Sequence, residues 1–127
     1  MKKNRKYILL VIPALVFYYA ASAKITLPPM FGDNMVLQQK YDDAVWGWAS
    51  PGEQITVEGS WNNTLVTTKA DSKGEFMVRI KTPKAGGPYN LTIKGNETII
   101  LHNVMIGEVW VCSGQSNMEL PMQGWPV

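Results

Sequence analysis

The chain has 127 residues, 46% of them hydrophobic and 17% charged, enough for one domain of ordinary size with its own apolar core. Its formal charge of +2 comes from its start. Four of the 12 Lys+Arg and none of the 10 Asp+Glu lie in residues 1–23, which leaves 8 against 10, a net −2, for the remainder. That balance gives no electrostatic reason to expect a nucleic-acid partner, and a single cysteine, Cys112, excludes any disulfide within the chain.

Residues 1–23 read as a secretory signal. Lys2, Lys3, Arg5 and Lys6 form a basic start, residues 8–20 a short apolar core, and Ala21, Ser22 and Ala23 a small-residue cleavage site. A membrane-spanning helix needs about 20 apolar residues. This run is shorter and is interrupted by Pro13, so no stable membrane anchor is expected after cleavage, and no cysteine follows to take a lipid. The expected location is secreted or periplasmic.

From residue 24 to residue 103 the pattern is strand, turn, strand. Segments 25–27 and 35–38 flank Pro28-Pro29 and the turn at Gly32, Asp33 and Asn34. Segment 44–49 places Trp46 and Trp48 two apart, on one face if extended. With Trp61 they are assigned to the core, the alternative being plates for sugar rings. Segment 54–59 alternates, 63–69 is rich in Thr and Val, and Asp71-Ser72-Lys73-Gly74 has the composition of a hairpin loop. In 75–81, Phe76, Val78 and Ile80 oppose Glu75, Met77, Arg79 and Lys81. The cluster from Pro83 to Pro88 reads as a turn that cannot be a central strand, because proline lacks the ladder donor. Leu91 and Ile93 alternate, Gly95-Asn96 turns, and 97–101 is β-branched. Turn signals about every ten residues, with no helical period, predict an antiparallel β-sandwich over residues 24–103.

At Val104 the texture changes to an uninterrupted apolar run, residues 104–112. One-sided sheets alternate, whereas strands covered on both faces do not. The run is therefore read as the first strand of a second, α/β domain, residues 104–127, cut short. The competing reading makes it one more strand of the sandwich. Within it Cys112 is expected to be a small buried filler, and Glu108 needs a partner if buried.

The run breaks at Ser113-Gly114-Gln115-Ser116-Asn117. A buried strand ending in a Gly-flanked serine is how an α/β hydrolase presents a nucleophile, with Oγ at the strand's end and backbone N–H groups nearby for an oxyanion. The longer string Gly107-Glu-Val-Trp-Val-Cys-Ser-Gly-Gln-Ser-Asn-Met118 resembles the first catalytic block of the sialate O-acetylesterases, a branch of the SGNH hydrolases. Leu27-Pro-Pro-Met-Phe-Gly-Asp-Asn-Met-Val-Leu-Gln38, Val45-Trp-Gly-Trp-Ala-Ser-Pro-Gly-Glu53 and Ala85-Gly-Gly-Pro-Tyr-Asn-Leu91 resemble the amino-terminal domain of the same family.

The resemblance implies Ser116 as nucleophile and a supporting role for Gly114, Gln115 and Asn117. The implied reaction is serine acyl transfer on an O-acetylated sialic acid or another acetylated glycan, and it requires no cofactor and no metal. The Asp-x-x-His block that supplies base and acid in such hydrolases is absent from these residues. The only histidine, His102, lies at the wrong end of the run to serve Ser116. The 127 residues alone are therefore expected to lack esterase activity. The rival expectation is a stand-alone secreted sandwich that binds carbohydrate or a protein. In that case the tail would pack into the sandwich; in the first it would project with its apolar surface exposed.

Overall fold

The computed structural model describes residues 24–114. It is mainly β, with seven strands and, among the described residues, no helix: β1 (Val36–Gln38), β2 (Asp42–Trp48), β3 (Gln54–Gly59), β4 (Leu65–Lys69), β5 (Glu75–Lys81), β6 (Gly86–Lys94) and β7 (Thr98–Gly107). Five strands form one sheet in the order β1-β7-β6-β3-β4, while β2 and β5 pair separately.

The alternation in the sequence decides which faces meet. In β5, Phe76, Val78 and Ile80 are buried and the four residues between and around them are exposed. Opposite them β2 buries Val45 and Gly47, in register with Val78 and Phe76. The larger sheet contributes Leu37, Ile55, Val57, Leu91, Ile93, Leu101, Val104 and Ile106, and both sheets share a single apolar cluster. Val45, Ile55, Val57, Ile80, Leu91, Ile93 and Val104 have no exposed surface. Each such side chain contributes about 1.5–3 kcal/mol by leaving water.

Four local expectations are corrected. The Asp71 turn is not a hairpin. β4 pairs with β3 and β5 with β2, so the turn carries the chain from one sheet to the other. Asp71 Oδ1 accepts the N–H groups of Lys73 and Glu75 at 2.8 and 2.9 Å. Gly74 takes φ +82°, and a Cβ there would stand 2.4 Å from the Ala49 carbonyl oxygen. Second, one ladder is parallel: β1 runs alongside β7, from Val36 opposite Met105 to Gln38 opposite Gly107.

Third, the proline-rich cluster does enter a strand. Pro88 lies within β6 after a cis Gly87–Pro88 peptide. It is tolerated because β3 pairs only with Leu91 to Lys94 of β6, and because the β6–β7 register shifts on both sides of Tyr89. Fourth, Trp46 and Trp48 point outward. The inner positions of β2 belong to Val45 and Gly47, and Trp48 is exposed. Trp46 meets Phe31 edge to face at 4.8 Å. Trp61 packs against the core as expected, with its indole N–H donating to the Lys81 carbonyl at 2.9 Å.

The change of texture at residue 104 has a local cause. Between Leu101 and Val104, β7 passes two residues, His102 and Asn103, while β6 passes only Asn90. This is a bulge, and Asn103 takes φ +55° within it. The Asn103 amide donates to Asn34 Oδ1 at 2.6 Å, and the His102 backbone N–H donates to Asp33 Oδ1 at 2.7 Å. The position expected as a boundary, 103/104, falls inside β7, which continues through the bulge to Gly107. Residues 104–112 are thus not one uninterrupted strand. Val104 and Ile106 complete β7, and residues 108–114 have no regular secondary structure.

Candidate functional site

Of the residues assigned to the site, Ser116, Gln115 and Asn117 lie outside the described residues. Gly114 is the last described and is exposed. The structure therefore speaks to how the chain approaches the serine. After Gly107 it leaves the sheet with Val109, Trp110 and Val111 at 45%, 83% and 89% exposure. Cys112 is exposed too, which corrects its expected role as a buried filler.

That departure is anchored by two carboxamides. β1 ends in Gln38, and Gln39 follows; the Gln39 backbone N–H donates to the Gly107 carbonyl at 2.7 Å and so extends the parallel ladder by one bond. The Gln38 side chain then turns toward the departing segment. Its Nε2 donates to Glu108 Oε2 at 3.0 Å, and its Oε1 accepts the Val109 backbone N–H at 2.8 Å. Gln39 Nε2 donates to the other carboxylate oxygen, Glu108 Oε1, while its own Oε1 accepts the Ala85 N–H at 2.9 Å. Both Glu108 oxygens are thus engaged by neutral donors. Those two carboxamides, Gln38 first, hold the Glu108 carboxyl below the usual glutamate range. The partner that Glu108 was expected to need is this Gln pair, although Glu108 is exposed rather than buried.

The anchor is itself held from beneath. Thr82, only 4% exposed, places its hydroxyl 2.6 Å from the Gln38 carbonyl oxygen and 3.0 Å from that of Tyr41, and it accepts the Tyr41 N–H at 3.1 Å. Sequence reasoning did not single out Gln38 or Gln39. They meet residues about seventy positions away through a parallel ladder, which neither periodicity nor spacing announces.

Beside the anchor runs an open groove lined by Met30, Phe31, Val36, Asp43, Trp46 and Val109, among others. Asp43 Oδ2 is buried there without a hydrogen-bond partner, and burial pushes the Asp43 carboxyl up. His102 is exposed, and its main chain is tied to the loop before β1: the His102 carbonyl accepts the Asn34 N–H at 2.9 Å. It sits at the bulge of β7, five residues before that strand ends at Gly107. At about 3.3 Å per residue this puts it roughly 16 Å from the point where the chain leaves the strand. Its described role is to join strand and loop. Among the described residues no group of His, Cys, Asp or Glu is arranged to hold a metal ion.

A second carboxylate organises the opposite kind of site, a purely structural one. Glu53, 8% exposed, accepts the Asn96 N–H at 2.6 Å and the Ser50 N–H at 3.0 Å, tying its own turn to the one between β6 and β7. The Asn96 N–H foremost, and Ser50 with it, hold the Glu53 carboxyl below its ordinary range against the opposing effect of burial.

Comparison with known proteins gives a consistent picture. No protein-family model matches the chain. The sialate O-acetylesterases of Homo sapiens and Pongo abelii are each 34% identical to it over 123 residues, covering 87% of this chain and 23% of theirs. That of Mus musculus is 37% identical over 99 residues, covering 69% of this chain and 18% of its own. The crystal structure of a carbohydrate acetylesterase from Xanthomonas citri superposes with a TM-score of 0.69 at 39% identity, over 77% of this chain and 22% of that one. The chain thus spans less than a quarter of the length of the relatives it matches.

Proposed function

Starting from a chain that is sialate O-acetylesterase-like over most of its length, we propose that it is the opening part of a secreted serine esterase that removes O-acetyl groups from sialic acids or related glycans. In this reading the strands up to β7 form a β-sandwich, and residues from 108 onward lead into an SGNH-type catalytic domain. The observation that carries the proposal is the succession of β7, the anchored segment 108–114 and the Gly-Gln-Ser-Asn string, in a chain 34–37% identical to such esterases.

The chemistry follows from the residue types. Ser116 Oγ attacks the acetyl carbonyl, and its own backbone N–H, with others, meets the negative charge that develops on the carbonyl oxygen. The sugar hydroxyl leaves as the acyl-enzyme forms, and water then releases acetate. Gly114 allows the sharp turn before the serine, and Gln115 and Asn117 support it. In this reading the base that takes the Ser116 proton is not His102, whose main chain is tied at the β7 bulge to the loop before β1; it would come from the further length that the relatives have. A polypeptide of the relatives' length that carries this chain should release acetate from an O-acetylated sialic acid. Ser116→Ala should abolish that release, and the 127 residues alone should show none. Release that persists in Ser116→Ala would refute the proposal.

The exposure of Trp110 and Val111 supports this reading over a self-contained binding module. Val and Trp side chains directed at water on successive residues suit a strand that is covered on both faces by further chain.

A further inference from the structure

The described residues nearest to the serine string are held by an arrangement that the proposed chemistry does not itself use. Glu108 is eight positions before Ser116, and both of its carboxylate oxygens, together with the next backbone N–H, are bonded to two consecutive side chains of another strand end. An exposed chain leaving a sheet normally has water for those partners. Here each donor and acceptor of the Gln38 carboxamide that faces the segment is spent on it, one on the Glu108 side chain and one on the Val109 main chain. Such a two-point grip fixes both the direction and the rotation of the peptide at residue 108, where a single hydrogen bond would fix neither.

The gripping residue is itself held at its backbone. Gln38 sits in register with Gly107 in the parallel ladder, and its carbonyl takes the buried Thr82 hydroxyl. Gln39 is fixed at its backbone by Gly107 and at its side chain by the Ala85 N–H. The path from the apolar core to Val109 is therefore continuous through ladder bonds and carboxamides.

We propose that Gln38 and Gln39 are positioning residues, which clamp Glu108 and Val109 so that the chain leaves β7 in one direction and delivers the serine-bearing string to a fixed place. This rests on the esterase reading for its purpose, but not for the clamp itself. The β-rich unit is on this view the mount on which the nucleophile's strand is set.

The test is amide hydrogen exchange by NMR on the full chain. In the unaltered protein the Val109 amide should be protected although its neighbours are exposed. Gln38→Ala should speed its exchange by about tenfold or more, while Val57 and Ile93 in the core exchange as before. Gln39→Ala should act in the same direction, less strongly, because it loosens only Glu108. Glu108→Gln, which keeps one acceptor oxygen, should fall between Glu108→Ala and the unaltered chain. A Val109 amide that exchanges freely in the unaltered protein, or one that is indifferent to both Gln38→Ala and Gln39→Ala, would overturn the clamp. The purpose is read separately in a polypeptide of the relatives' length. There Gln38→Ala should lower kcat several-fold with KM unchanged, whereas activity surviving Ser116→Ala would sink the esterase reading and leave the exchange result standing.

Discussion

Val104 and Ile106 are 0% and 3% exposed, whereas Trp110 and Val111, a few positions further along the chain, are 83% and 89% exposed. The two stretches are alike in composition, so apolar character does not separate them. Their neighbours do. Up to Gly107, β7 has β6 on one side and β1 on the other; the last β6 pair is Gly86 with Ile106 and the last β1 pair is Gln38 with Gly107. Both ladders stop together, and the side chains beyond have no sheet to turn into. A run of Val and Trp is buried only where backbone partners exist to hold it flat against a core.

This contrast can be broken at several strengths. The largest effect belongs to the core: Ile93→Ala should cost about 2–5 kcal/mol in chemical denaturation, while Val111→Ala should stay within about 0.5 kcal/mol of the parent. Equal losses would mean that the departing segment is packed after all. Next come the glycines. Gly74→Ala must hold φ +82° with its Cβ against the Ala49 carbonyl, so a loss of about 1–3 kcal/mol is expected. Gly114→Ala should leave the thermal midpoint where it is.

A smaller and pH-dependent effect distinguishes the two hydrogen-bonded carboxylates. The Glu53 carboxyl lies below its ordinary value of 4.5 in the folded protein, so its contribution is complete above that value and is lost as pH falls through the lower, folded one. Glu53→Gln should cost about 1 kcal/mol at neutral pH and converge with the parent in acid, as read by denaturation at a series of pH values. Glu108 shifts in the same direction but is fully exposed. Its protonation should weaken the Gln38 contact and speed exchange of the Val109 amide, as Glu108→Gln does, without moving the global transition. The smallest change in stability is expected from Val111→Asp, whose visible result should be higher solubility by light scattering, since it interrupts an exposed apolar stretch.

Much of the strand framework could be read from alternation. β3 and β5 begin and end where the residue pattern says, because each has one wet and one dry face. What escaped depends on contacts distant in sequence. Pro88 looked incompatible with a strand because nothing local shows that its stretch of β6 is paired on one side only. Trp46 and Trp48 looked like core because large aromatic residues usually are. Gly47, flanked by them, is the residue that faces inward, and a Cβ there would stand 2.4 Å from the Thr26 carbonyl oxygen. The Gly-Gln-Ser-Asn string was visible as a motif, but the anchor of the segment before it was not. Gln38 and Gln39 carry no periodic signal, and their partnership with Glu108 exists only because β1 and β7 run side by side.

That parallel pairing has a mechanical consequence. β1 and β7 point the same way at the edge of the sheet, and the chain leaves β7 at Gly107 beside the end of β1. A tug along the strand axis, transmitted through Gly107, would slide the two strands lengthwise, loading their bonds simultaneously. Peeling, in which bonds rupture one after another, would require a pull across the strands. The attachment point is thus strongest against traction along its own strands.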